Sequence, residues 1–237
     1  MRTKYLWTVA LIVAFGGACH AGVSDFVKRS GIQGGIVVHL DCGSGEETLK
    51  MRLNKNVLVQ GLSTNSRDVD KARTLIGNKG LYGDITATSF DGKKLPYAGN
   101  LVNLIVCDGP TTVSEREIMR VLTPLGKAYI NGKTIKKPWP RELDEWGHYL
   151  HGPDNNAVVK DKRVGMPRAL QWVQGKKWAR SHEEFSTISV AVSSQGKVFY
   201  IVDKSPLAYI SFNAEWMLVA RDAFNGRLLW ERAIPLW

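Results

Sequence analysis

The chain has 237 residues, of which 44% are hydrophobic and 23% charged, an ordinary globular balance with room for one large domain or two small ones. The formal net charge is +10, and twelve Lys or Arg against five Asp or Glu fall within residues 127–180. Three cysteines with no CxxC pair and no zinc spacing exclude a disulfide scaffold and a structural metal centre as the organising principle.

Arg2 and Lys4, the apolar run from Tyr5 to Phe15 and the small residues Gly16-Gly17-Ala18-Cys19-His20-Ala21 have the three-part layout of a secretory signal. Residues 1–21 are therefore expected to direct export to the periplasm or cell envelope. A retained anchor helix, or a lipoprotein acylated at Cys19, stays open beside that expectation. No other segment approaches eighteen apolar residues, so no membrane span is expected after signal removal.

A first strand is expected over Ile36-Val37-Val38-His39-Leu40, followed by the turn Asp41-Cys42-Gly43-Ser44-Gly45 and a helix over 46–53 that opens on acids. Val57 to Gly61 reads as a second strand. Ser66 is placed to cap a helix over 67–76, with Val69, Ala72, Leu75 and Ile76 as its apolar stripe. A third strand lies within 81–89. The near-continuous apolar run Leu101 to Val106 suits a fourth, buried on both faces of a parallel sheet. A helix over 114–122 is ended by Pro124-Leu125-Gly126, and Lys127 to Ile130 forms a fifth strand. Alternating strands and helices at this spacing predict an α/β doubly wound sheet, with ligands at the carboxyl ends of its strands.

After Lys133 the pattern breaks into Pro- and Gly-rich turns, and residues 136–168 read as a linker. The basic clusters around Lys133 and Lys160 could meet an anionic surface, but solvated linker charge is the plainer reading, and no nucleic-acid motif accompanies them. Five short β signals follow, at 169–173, 188–192, 198–202, 216–221 and 228–233, with tight turns at Gln195-Gly196 and Asn225-Gly226. An antiparallel β segment is predicted there.

Asp41-x-Gly43-x-Gly45 directly after a strand is a nucleotide-loop pattern, because glycines let the backbone turn sharply and approach a ligand. A strand-to-helix turn without ligand has the same letters. Three longer segments carry a resemblance. Val38-His39-Leu40-Asp41-Cys42-Gly43-Ser44-Gly45, Asp91-Gly92-Lys93-Lys94-Leu95-Pro96-Tyr97-Ala98 and Glu117-Ile118-Met119-Arg120-Val121-Leu122-Thr123-Pro124-Leu125-Gly126 resemble, in order, three motifs of class I S-adenosylmethionine (SAM) dependent methyltransferases. That resemblance implies a Rossmann-like methyltransferase domain over 22–135 with SAM as its cofactor. It would place Asp41, Gly43 and Gly45 by the methionine and ribose end, Ser63 where the family carries a ribose-binding acid, and Asp91 beside the adenine. Glu47 stands where the family has a further glycine, and Leu125 replaces the first of a glycine pair. Transfer of a methyl group, or a methyltransferase fold kept as a non-catalytic binding or scaffold unit, are the two functions it leaves open.

Met217 to Trp230, with its Asp222-Ala223-Phe224-Asn225-Gly226 turn, resembles the repeat of pyrroloquinoline quinone (PQQ) type β-propellers. That implies an incomplete propeller start over 169–237, with further blades or envelope proteins as partners; one blade cannot supply a quinone site, so PQQ itself is not expected here.

Two finer expectations concern side chains. Cys42 and Cys107 each fall just past a strand end, where they either pair in an oxidising compartment or stay separate buried thiols. His148 and His151, with His182 or Asp154, are either metal ligands or turn-formers. The bend after the first strand is expected to leave an anion-tolerant hollow shaped for a nucleoside.

Overall fold

The computed structural model describes residues 22–163, 169–173, 188–205 and 213–235. Residues 1–21, including Cys19, and His182 lie outside the described residues.

The first unit is built on a mixed six-stranded sheet. In chain order its elements are α1 (Val23–Arg29), β1 (Gly35–Leu40), α2 (Glu46–Lys50), β2 (Val57–Ser63), α3 (Ser66–Asn78), β3 (Ile85–Ser89), β4 (Val102–Cys107), α4 (Glu115–Val121), β5 (Leu122–Ile130) and β6 (Lys133–Lys136). The strands lie in the order β3-β2-β1-β4-β5-β6, with the first five parallel and β6 antiparallel to β5. This is the doubly wound order, and strand order reverses between β1 and β4. Alternation along β1 sends Val37 into one core and Val38 into the other. The first core also holds Val59, Leu104, Ala72 and Ile76; the second holds Leu40, Ile105, Ile118 and Val121. Both faces of the sheet are thus covered, which is why β1 and β4 are almost wholly apolar.

Several local expectations need correction. The α3 cap is Asn65, one residue before Ser66: Asn65 keeps an extended backbone, and its side chain accepts from the Arg67 N–H at 3.0 Å. Helix α2 stops at Lys50 rather than reaching 53. Helix α4 ends at Val121, because Leu122 already has extended angles and starts β5, so Pro124-Leu125-Gly126 lies inside a strand. The strand accommodates it through an irregularity opposite Val102 and Leu104, with Leu125 at φ +66°. Strand β6 enters through Asn131-Gly132, both left-handed, the geometry of a two-residue hairpin turn.

The second unit is a separate four-stranded antiparallel meander, β7 (Ile188–Ser194), β8 (Lys197–Asp203), β9 (Trp216–Asp222) and β10 (Leu228–Ala233), in the order β10-β9-β8-β7. Residues 169–173 are not a strand. Trp172 instead lies across the turn between β9 and β10, donating from Nε1 to the Ala223 carbonyl at 2.9 Å. Among the described residues no helix is long and apolar enough to cross a membrane.

Candidate functional site

A hollow of about 310 Å³ opens at the carboxyl ends of β1 and β4, at the point where strand order reverses. Its floor is the turn after β1. Asp41, Gly43 and Gly45 all have positive φ, at 55°, 50° and 89°, and the Gly45 N–H closes the turn on the Cys42 carbonyl at 2.9 Å. At Gly45 a side chain would also meet the Cβ of Ala72 at 2.9 Å, so this glycine lets α2 approach α3. Gly43 has open space where a side chain would point; its left-handed backbone alone asks for glycine.

The walls are polar and acidic. Asp41 comes from the turn, Glu46 and Glu47 from α2, and Asp108 from the residue after β4. Among the described residues no lysine or arginine lines the hollow. Glu47 is drawn to Lys50 at 2.5 Å, an ion pair that holds its carboxyl below the usual range. The expected anion-tolerant hollow is therefore corrected: four carboxylates around one opening repel a phosphate and attract positive charge.

Two lining residues come from inside the sheet. His39 is 4% exposed, and its Nδ1 sits 2.8 Å from Thr48 Oγ1 of α2. Burial pushes its pKa down to about 4, against the pull of Asp108 and Glu47, so the ring is neutral at neutral pH. Cys107 directs its S–H toward Asp41 Oδ2 at 3.8 Å.

Of the residues expected from sequence, the structure gathers Asp41, Gly43 and Gly45 in one turn. Asp41 and Gly43 line the hollow; Gly45, Ser63 and Asp91 do not. Ser63 is buried at the end of β2, where its Oγ accepts from the Asn65 N–H at 3.1 Å. Asp91 is exposed, and its Oδ1 accepts from the N–H groups of Lys93 and Lys94, each at 2.8 Å, which hold its carboxyl below the usual range. His39 and Asp108 are the site residues that motif reading passed over, while Cys107 was singled out only for its pairing with Cys42. A lone polar residue inside the apolar β1 was the available signal for His39.

The two thiols are free. Cys42 packs in the core on the α3 side of the sheet, against Gly61, whereas Cys107 packs in the core on the α4 side. The two side chains thus pack into different cores and no disulfide joins them. Burial raises both pKa values to about 11.

His148 and His151 face each other across an isolated backbone bridge, and His151 Nε2 meets Asp144 Oδ2 at 2.8 Å. Asp154 accepts from the Asn156 N–H in a turn. Among the described residues no three potential metal ligands gather.

The sequence matches no protein-family model and no curated protein. Solved structures do match. A putative SAM-dependent methyltransferase from Methanococcus maripaludis is 24% identical, with 46% of this chain and 52% of that one covered and a TM-score of 0.42. The [4+2]-cyclase SpnF is 23% identical, with 46% and 43% covered and a TM-score of 0.41. Geranyl diphosphate methyltransferase in complex with SAM is 14% identical, with 46% and 47% covered and a TM-score of 0.40. The chain thus spans about half the length of each of these structures.

Proposed function

We propose that the α/β unit is a class I methyltransferase-like domain that takes SAM or a related nucleoside into the hollow past β1 and β4. The observation that carries this reading is the left-handed turn Asp41–Gly45 at the switch point of a doubly wound sheet, with the carboxylates of Asp41, Glu46 and Asp108 around the hollow. Ligands of such sheets sit in that crevice. A nucleotide would bring phosphates against Asp41, Glu46 and Asp108. A nucleoside with a sulfonium brings the opposite charge. Methyl transfer from that sulfonium needs donor and acceptor held in line more than it needs a strong base. Asp41, Gly43 and Gly45 would hold the methionine and ribose end of the ligand, and Ser63 and Asp91 would contribute only after a change of side-chain partner. Calorimetric titration of the full chain with SAM and with S-adenosylhomocysteine tests the reading. Saturable heat with either supports it, and no heat at millimolar ligand overturns it.

A second reading is favoured by the engaged polar atoms of Ser63 and Asp91, and by the hydrogen bonds that dock the second sheet onto the first. In it the methyltransferase-like fold is a non-catalytic scaffold for the β unit. In either case we take residues 1–21 as an export signal and β7–β10 as the opening blade of a PQQ-like propeller in the cell envelope. Apolar side chains on both faces of that meander, Phe199 and Ile201 on one and Val202 and Val219 on the other, support the blade assignment, since a blade is covered on both sides. Cell fractionation with amino-terminal sequencing of the secreted product tests export.

A further inference from the structure

A second cavity lies at the other end of the α/β sheet from the hollow, where the antiparallel unit docks. It holds about 210 Å³ and opens between the residues leading into β1, the start of β4, the first half of β5 and the β7–β8 turn. That volume suits a small organic ion and is too small for a nucleoside. Both units build its walls: Thr123, Gly126 and Lys127 come from β5, Lys197 from β8 and Asp222 from β9.

Thr123 is 2% exposed and lines this cavity, yet its hydroxyl meets no hydrogen-bond partner among the described residues. A β-carbon at Gly126 would stand 3.0 Å from that Oγ1, so the glycine leaves the hydroxyl uncovered. Buried polar groups nearly always find a partner, and one that opens on a cavity marks a place for a ligand atom. The charges say which kind. Lys127 Nζ reaches only the Ser30 carbonyl, at 3.4 Å, on the same wall. Lys197 stands opposite Asp222 in the β8–β9 register; burial raises the Asp222 pKa, and the Lys197 charge opposes that rise. Asp222 is 7% exposed and already accepts from Asn103 Nδ2 and from the N–H groups of Phe224 and Asn225. Two ammoniums therefore share the cavity with one carboxylate that is bound from three sides. The surplus is positive, and the low-dielectric walls of a narrow cleft concentrate it.

We propose that this cavity binds a small oxyanion, the carboxylate or phosphoryl group of a small metabolite, between the ammoniums of Lys127 and Lys197, with the Thr123 hydroxyl donating to it. One lysine belongs to each unit, so the bound anion fastens the antiparallel sheet to the α/β sheet. The site is separate from the hollow and does not depend on a nucleoside there.

The test follows amide chemical shifts of the full chain during titration with inorganic phosphate and, separately, with malonate, while sodium chloride holds the ionic strength fixed. Saturable shifts at Gln33, Gly126 and Gly196 are expected with at least one of the two. Phosphate alone assigns a phosphoryl ligand, malonate alone a carboxylate, and both together the oxyanion common to them. Thr123→Val keeps the shape and removes the donor, and is expected to weaken binding about fivefold. Lys197→Gln removes a charge and is expected to weaken it about tenfold. Lys136→Gln, at an exposed lysine outside the cavity, is expected to leave it unchanged. Should Thr123→Val fail to fold, Lys197→Gln, at a half-exposed position, carries the test. No saturable shift with either anion, or an affinity untouched by Lys197→Gln or by a folded Thr123→Val, overturns the proposal.

Discussion

Asn103, in the middle strand β4 of the α/β sheet, donates from Nδ2 to Asp222 Oδ2 at 2.6 Å, at the end of β9 in the antiparallel sheet. The same Asn103 accepts through Oδ1 from the Ile36 N–H at 2.8 Å and from Asn225 Nδ2 at 2.7 Å. One amide therefore holds the start of β1 and the β9–β10 turn together. Asp222 in turn accepts from the N–H groups of Phe224 and Asn225, which shapes that turn, and burial pushes its carboxyl pKa up. Asn103→Ala leaves three polar partners short of a hydrogen bond in a part-buried seam, and is expected to cost about 2–3 kcal/mol. A double-mutant cycle with Asp222→Ala, read by urea unfolding, should give a coupling of about 1 kcal/mol or more. Additive losses would mean that the sheets are joined by other contacts.

Glu117 and Arg120 give a physical reason for two of the motif segments to occur together. Glu117 Oε1 accepts from the Leu95 N–H at 2.8 Å, while Arg120 forms a paired contact with Glu117, 2.7 Å to each oxygen, and donates to the carbonyls of Tyr97 and Leu95. The segment after β3 is thereby clamped to α4. Because the Arg120 side chain is 37% exposed, the ion pair itself contributes modestly, and Arg120→Ala is expected to cost about 1–2 kcal/mol, mostly through orphaned carbonyls. Hydrogen exchange at Leu95 and Tyr97 should rise in this variant and much less in Glu117→Gln, which keeps an oxygen for Leu95. Equal exchange in both variants would dissolve the clamp.

His39 makes stability depend on pH. Its folded pKa of about 4 lies below the ordinary 6.5, so between those values the unfolded chain takes up a proton that the folded chain refuses. Its contribution is complete above pH 6.5 and drains away as pH falls toward 4, by about 3 kcal/mol in all. An NMR titration should show the His39 ring unprotonated at pH 5.5. The stability difference between wild type and His39→Asn should narrow as pH falls through this window. A ring midpoint near 6.5 would contradict the burial.

Cys42 and Cys107, in opposite cores, should both alkylate when protein prepared without reductant is denatured and mapped by peptide. In the folded state both should react slowly, since a pKa of about 11 leaves little thiolate. A Cys42–Cys107 disulfide peptide would show that the sheet repacks on oxidation.

What could be read in the letters follows from which forces are local. β1 and β4 announce themselves because both faces of a central strand need apolar side chains, and the glycine-rich turn after β1 because left-handed angles restrict residue choice. β6 was hidden by its lysines, which suit an open sheet edge but read as linker charge; Asn131-Gly132 was its only clear sign. α1 is a seven-residue helix, too short for a periodic stripe. At the site, Ser63 and Asp91 have the right positions along the chain, yet their oxygens turn to backbone N–H groups two or three residues on. Spacing cannot decide that choice of partner. Cys107 and Asp108 meet Asp41 only because β4 lies beside β1, where strand order reverses, a fact of topology rather than of local pattern.

The most direct measurement is amide chemical-shift mapping of the full chain during titration with SAM. Saturable shifts concentrated at Gly43, Gly45, Cys107 and Gly109 are predicted, with the cleft between the two sheets around Gln33 and Lys197 unaffected. Saturable shifts confined to that cleft, or none at any concentration, would contradict the account.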